Sequence, residues 1–109
     1  MAVGQGQPSV INGATITGRG IKNVLNITTN TLVKGSQGRI ANVNVTTAGS
    51  GAGAVYDAAS VASITTATAA SKLVAVIPNT IGSYSIDFPC LTGIVVEPGT
   101  GQVVSVSYN

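Results

Sequence analysis

Three carboxylates, Asp57, Asp87 and Glu97, are the residues of this sequence that could do acid–base chemistry. Two of them facing each other across a cleft would form the acid and base of a glycosidase. Each, however, falls at the edge or the end of a predicted strand, where a carboxylate usually accepts hydrogen bonds from a turn or pairs with a cation such as Lys72 or Arg39. We therefore favour structural roles and predict no catalytic residue.

Nucleophilic and metal chemistry lack their usual residues. The chain has no His and one cysteine, Cys90, so it offers neither a His-activated serine nor the ligands of a zinc site. A Ser71–Lys72 dyad is disfavoured because adjacent residues of a strand point to opposite faces. A calcium site at Asp57, beside a glycine-rich loop, is a minor alternative. We expect no enzyme, cofactor or metal, and Cys90 as a small buried hydrophobe at a strand end.

The segment Pro98-Gly99-Thr100-Gly101 has the glycines of a phosphate-binding loop. Such a loop needs a following helix and a Lys before Ser or Thr. Here the residues that follow, 103–108, alternate between apolar and polar, and the preceding residues 94–97 are an apolar β-branched run. The pattern predicts a hairpin turn between two strands and no nucleotide site.

Charge is scarce along the whole chain. Only 7% of the 109 residues are charged, whereas 44% are hydrophobic, and a surface with so few charges is expected to be covered by other subunits or by a larger partner. The net charge of +2 does not predict nucleic-acid binding, because the basic residues are scattered and lack aromatic neighbours. They are Arg19, Lys22, Lys34, Arg39 and Lys72.

No membrane segment or secretory signal is predicted. The first seven residues carry neither a basic start nor an apolar run, and no stretch approaches the roughly 18 apolar residues of a membrane span. We therefore expect the protein to be made in a cytoplasm.

The segments that carry these residues are predicted to be short strands. Residues 39–47 (RIANVNVTT) and 83–88 (SYSIDF) alternate with a period of two, and residues 72–77 (KLVAVI) form an apolar run. Residues 60–71 are expected to form a loop containing one helical turn. The count of seven or eight strands predicts an all-β fold, a small antiparallel β-sandwich or jelly-roll-like barrel over 21–109, preceded by an N-terminal arm, 1–20.

Within residues 39–47 the alternation predicts a core face and a polar face. The expected core face is Ala41, Val43, Val45 and Thr47, and the other face is Ile40, Asn42, Asn44 and Thr46.

The three tyrosines, Tyr56, Tyr84 and Tyr108, occupy alternating strand positions beside aliphatic residues. These positions are typical of half-buried core or interface side chains. Stacking against a glycan is the less favoured alternative.

Several pieces of the chain, "VTTAGS", "VIPNT" and "VVEPGTGQVVSVSY", resemble small capsid-associated structural proteins of tailed bacteriophages, most of all head decoration (cement) proteins. The resemblance covers roughly residues 31–108. It implies a sandwich subunit, often trimeric, bound to the outside of the virion head, with no catalytic residues.

From that resemblance the expected partners are the major capsid protein and two further copies in a homotrimer. Arm residues are expected at the capsid contact, and the tyrosines at capsid or subunit interfaces. The alternatives are a tail or head-fibre module and a carbohydrate-binding sandwich used in host attachment. The expected interface residues of the arm and the first strand are Val10, Ile11, Ile16, Arg19 and Lys22.

Overall fold

Eight β-strands make up most of the computed structural model, which describes residues 21–64 and 69–109. The connection between β4 and β5 contains a 3₁₀ turn, Val61–Ile64, and a four-residue helix, Ala69–Lys72. The strands are β1 (Lys22–Ile27), β2 (Thr31–Lys34), β3 (Gly38–Thr47), β4 (Gly53–Tyr56), β5 (Leu73–Ile77), β6 (Gly82–Cys90), β7 (Ile94–Glu97) and β8 (Val103–Tyr108).

The strands form two four-stranded antiparallel sheets. Sheet A has the order β1-β8-β3-β6, and sheet B has the order β2-β7-β4-β5. Four antiparallel pairs follow one another along the chain as if a long hairpin had been folded over into two sheets: β4·β5, β3·β6, β2·β7 and β1·β8. The resulting order of the strands in the two sheets is that of an eight-stranded jelly roll. The predicted all-β sandwich is confirmed.

The predicted hairpin between β7 and β8 is wrong, although the turn itself is present. β7 pairs with β2 and β4 in sheet B, whereas β8 pairs with β1 and β3 in sheet A. Residues 98–102 therefore carry the chain from one sheet to the other. Local turn chemistry marks where a strand ends, but it does not select the strand with which the next one pairs.

The main core lies between the sheets, and β3 shows how the alternation fills it. Val43 and Val45 are buried and Asn42 faces outward, as predicted. Ile40 was expected on the polar face but is fully buried. The strand register shifts between Ile40 and Asn42 against both neighbouring strands, and such a bulge resets which face the following side chains occupy.

Cys90 ends β6 as a fully buried side chain, which confirms the prediction made for it. Burial raises the pKa of its thiol to about 11, and the nearby charge of Asp57 acts in the same direction. A thiol with so high a pKa is almost entirely protonated at neutral pH and is a poor nucleophile.

The segment predicted as a loop with a helical turn contains two short helical turns, one on each side of residues 65–68. The expected arm, with Val10, Ile11, Ile16 and Arg19, lies outside the described residues.

Candidate interaction surface

The middle of the outer face of sheet A is polar and uncharged. On β3, Asn42 lies opposite Ser107 of β8 and Ser85 of β6, and Asn44 lies opposite Ser105 and Ser83 of the same strands. Amides and hydroxyls therefore alternate across the sheet, as the polar face of residues 39–47 predicted. A face of this kind is well solvated and supplies little free energy for binding.

Sheet B, in contrast, is apolar on both of its faces. All four residues of β4 are buried. Val55 points into the main core, whereas Tyr56 and Val95 of the adjacent β7 point outward and are still buried. Runs of consecutive apolar residues such as those of β4, β5 and β7 are typical of strands that are covered on both sides.

The β4–β5 connection covers the middle of this outer face. Ile64 and Ala69 of the connection pack against Tyr56 and Val95, which form a second, smaller hydrophobic cluster with Ala54 and Ala58. This cover is contributed by the chain itself, so these central residues are not available to a partner.

The border of the same face remains exposed. Leu32 continues the row of Val95 on one side, and Leu73 continues the row of Tyr56 on the other. Val76, paired with Ala54, has an exposed fraction of 59%. We call the exposed apolar residues of this region the sheet B border: Leu32, Leu73 and Val76.

Glu97 stands beside this border and accepts hydrogen bonds from two side chains. Its Oε1 accepts a 3.0 Å hydrogen bond from the hydroxyl of Tyr56, and its Oε2 accepts one of 3.4 Å from Nδ2 of Asn30. Burial raises the pKa of Tyr56, and the hydrogen bond and charge of Glu97 raise it further. The pair orients Tyr56 at the edge of its cluster.

Asp57 binds the turn between β6 and β7. Its carboxylate accepts hydrogen bonds from the amides of Leu91, Thr92 and Gly93 at 3.1, 2.8 and 3.2 Å. Burial acts to raise the pKa of this carboxyl, but the three amides and the charge of Lys72 lower it on balance. Both oxygens are thus engaged by the chain, and no group of three or more metal-ligating side chains occurs among the described residues.

Asp87 pairs with Arg39 in the one ion pair found within residues 21–64 and 69–109. Oδ1 of Asp87 accepts hydrogen bonds from Nε of Arg39, at 2.8 Å, and from Nη2. Asp57 and Asp87 therefore have the turn and the cation that were predicted for such carboxylates, whereas Glu97 is held by a tyrosine and an asparagine instead.

The three tyrosines do not share a surface. Tyr56 is 8% exposed on sheet B, whereas Tyr84 and Tyr108 pack against the main core from sheet A. The hydroxyl of Tyr84 donates a 2.7 Å hydrogen bond to the carbonyl oxygen of Thr80. Lys22, the remaining described residue of the expected interface, is exposed at the start of β1.

The sheet B border was not singled out from the sequence. The available signal was the absence of alternation in "LVAVI" and "IVVE", which indicates apolar side chains on both faces of a strand. The sequence prediction instead placed the three tyrosines at the interface, because they occupy strands that alternate between apolar and polar residues.

Comparison with known proteins does not place the chain in a family: no family model matches, and no curated protein or solved structure matches significantly. None of the helices in the described residues is long and apolar enough to span a membrane.

Proposed function

We propose that the protein is a structural binding protein of a virus particle, which decorates the head of a tailed bacteriophage and stabilises it by bridging major capsid subunits. The observation that supports this most is the chemistry of sheet B, which is apolar on both faces and leaves the sheet B border exposed. The resemblance of the sequence to decoration proteins is the reason for proposing a phage head as the assembly to which the protein binds.

The exposed apolar border is informative because it continues a sheet face whose middle is already apolar and covered, unlike the middle of the outer face of sheet A. The outer face of sheet A shows the polar side chains expected of a sheet that faces water. Full burial of one Leu or Val side chain stabilises a protein by about 1.5–3 kcal/mol, so the three border residues together supply useful binding energy to a partner of matching shape.

Decoration needs only modest affinity at each contact, because the symmetry of a head repeats the contact many times. Each bound copy buries area across a seam between capsid subunits and so opposes the outward pressure of packaged DNA. In this proposal the copies act as homotrimers on the outer surface of the head, and arm residues make further capsid contacts. The proposed arm contacts, together with Lys22 of β1, are Val10, Ile11, Ile16 and Arg19.

The direct test is co-sedimentation of the purified protein with expanded empty heads of the phage that encodes it. The natural protein is expected to pellet with the heads at saturation. The double variant Leu73→Ser with Val76→Ser should fold normally and lose at least about tenfold in affinity, because about 2–3 kcal/mol of apolar contact disappears.

The matched control is Ile81→Ser, which removes an equally exposed aliphatic side chain from the β5–β6 turn, off the sheet B border. It should bind as the natural protein does. A protein that stays in the supernatant, or a double variant that binds as tightly as the control, would sink the proposal. Binding to purified host glycans instead would favour the fibre or carbohydrate-binding alternatives.

A further inference from the structure

The edge strand β1 of sheet A has a free side. The sheet order β1-β8-β3-β6 gives β1 a single neighbour, β8, among the described residues. Half of the backbone N–H and C=O groups of an edge strand point away from that neighbour, so they can pair with another extended segment. The free side of β1 is therefore a place where a further strand can be added to the sheet.

Only the first part of β1 is regular enough to accept such a strand. β1 and β8 pair residue by residue from Lys22 to Val24, and the register then shifts before Ile27. Asn26, within the irregular stretch, has φ of 56°. A bulge of this kind interrupts hydrogen bonding along a strand. An added strand would therefore pair with residues 21–24.

The two faces of sheet A require different side chains from that strand. On the outer face, Asn23 of β1 lies in a polar row with Ser107 of β8 and Asn42 of β3. On the inner face, Val24 packs against the main core in a row with Val106, and it is only partly buried, whereas Val106 is 2% exposed. An added strand should therefore place polar side chains beside Asn23 and apolar ones beside Val24.

The sequence just before β1 has this pattern. Residues 14–17 (ATIT) alternate alanine and isoleucine with threonines, and β-branched residues favour strands. An Asn-Gly pair at 12–13 and the tripeptide Gly-Arg-Gly at 18–20 bound the segment on its two sides, and both are turn signals. A three-residue loop that contains glycine is a common connection in β-hairpins.

The structure also fixes the point from which this segment departs. The amide of Ile21 donates hydrogen bonds to the carbonyl oxygen of Tyr108, at 3.1 Å, and to Oδ1 of Asn109, at 3.2 Å. The chain therefore enters sheet A at its edge, beside the free side of β1. A loop of residues 18–20 is sufficient to return the preceding segment along that side.

We infer that residues 14–17 dock on β1 of the same chain as the first strand of a hairpin, with Thr15 opposite Asn23 and Ala14 opposite Val24. In this register the threonines extend the polar row of the outer face, and Ala14 and Ile16 extend the apolar face. A slip by one residue would exchange the two sets of side chains, so the alternation selects this register.

The hairpin restrains the arm in the free protein. Ile16 is one of the proposed capsid contacts, and while it is docked on the protein's own sheet it reaches a partner only when the hairpin opens. The cost of opening lowers the apparent affinity of that contact. The inference goes beyond the proposed function because it concerns the protein without a head. Hairpin formation and head binding are measured separately, so either can fail without the other.

Paired cysteines test the register. The variant with Thr15→Cys and Asn23→Cys places thiols opposite each other in the hairpin. The control, Thr17→Cys with Leu25→Cys, has the same separation along the chain but lacks this pairing, because Thr17 lies opposite Ile21. Equal loop lengths carry equal closure entropy, so an arm that does not dock would oxidise at equal rates in the two variants.

The intramolecular disulfide is expected to form at least about tenfold faster in the Thr15–Asn23 variant, because the hairpin brings its two Cα atoms within disulfide range. Loss of free thiols over time, with the mass of a monomer, is the measurement. Cys90 does not compete, since it is fully buried. Equal rates in the two variants would overturn the inference.

Hydrogen exchange gives a second readout that needs no covalent bond. Deleting residues 1–17 frees the outward amides of β1, so at least one amide within residues 21–24 should exchange at least about tenfold faster than in the full chain. Deleting residues 1–11 is the control and should leave these amides unchanged, because residues 12–20 still form the hairpin. Exchange at the same rate in the full chain and in both truncated proteins would contradict the docking.

Discussion

The carboxylate of Asp57 and the amide of Thr92 are joined by a hydrogen bond of 2.8 Å that spans 35 positions of the chain. The amides of Leu91 and Gly93 donate to the same carboxylate. One side chain at the end of β4 therefore holds the whole turn between β6 and β7, and this turn is where the chain leaves sheet A for sheet B.

Replacing Asp57 by Ala should destabilise the protein by about 2–3 kcal/mol, because three amides lose their charged acceptor. The measurement is the midpoint of urea unfolding. Asp87→Asn is the matched control and should cost less than about 1 kcal/mol, since its pair with Arg39 is half-exposed. Equal losses in the two variants would show that the amides of the turn do not depend on Asp57.

Stability should fall in acid because of the same carboxyl. The pKa of Asp57 in the folded protein lies below the ordinary value of 3.8, so near that pH the unfolded chain binds more protons than the folded one, and stability rises with pH. The stabilisation is complete well above 3.8 and is lost as the pH falls through the folded pKa. Urea midpoints measured between about pH 5 and pH 3 should therefore decline.

Asp57→Asn should show a flatter decline over the same range. An unchanged pH dependence in this variant would assign the acid sensitivity to another carboxyl.

Gln102 should be the most sensitive polar residue of the sandwich. It is buried, its Oε1 accepts a 3.0 Å hydrogen bond from the amide of Gly99, and its Nε2 donates one of 3.0 Å to the carbonyl oxygen of Pro78. Gln102→Ala leaves a cavity and two unpaired backbone groups, so a loss of about 2–4 kcal/mol is expected by urea unfolding.

Gln102→Leu separates the two causes, because it keeps most of the volume and removes both hydrogen bonds. It should still cost about 2 kcal/mol. A leucine variant as stable as the natural protein would mean that the two hydrogen bonds of Gln102 add nothing to the stability that its packing provides.

Gly99 and Gly51 offer a matched pair of substitutions in two touching loops. A Cβ on Gly99 would overlap the carbonyl of Gly51, whereas a Cβ on Gly51 would meet nothing within 4 Å. Gly99→Ala should therefore cost more than about 3 kcal/mol, because backbone must move. Gly51→Ala should be neutral or stabilise by about 0.5 kcal/mol. Thermal unfolding of both variants checks this, and a tolerated Gly99→Ala would show that the two loops can separate.

The strand positions could be predicted from the sequence. Residues 39–47, 72–77 and 83–88 were predicted as strands, and the structure has β3 at Gly38–Thr47, β5 at Leu73–Ile77 and β6 at Gly82–Cys90. Alternation also predicted the outward asparagines of β3. These features are local, since side-chain direction in a strand follows from the backbone geometry of consecutive residues.

Most of the candidate surface could not be predicted from the sequence. The sequence drew attention to the tyrosines, yet Tyr56 is buried by the chain's own β4–β5 connection, and Leu73 and Val76 stay exposed beside it. Whether an apolar residue is covered depends on which distant segment folds over it, and a pattern of residue types carries no such information.

The sequence by itself determined the fold class, the lack of residues for His or zinc chemistry, and the turn at Pro98, because these depend on composition and on neighbours along the chain. Only the tertiary structure decided that β7 and β8 lie in different sheets and that Asp57 binds the turn after β6. Those relationships join residues far apart in sequence, and the packing of the whole sandwich selects them.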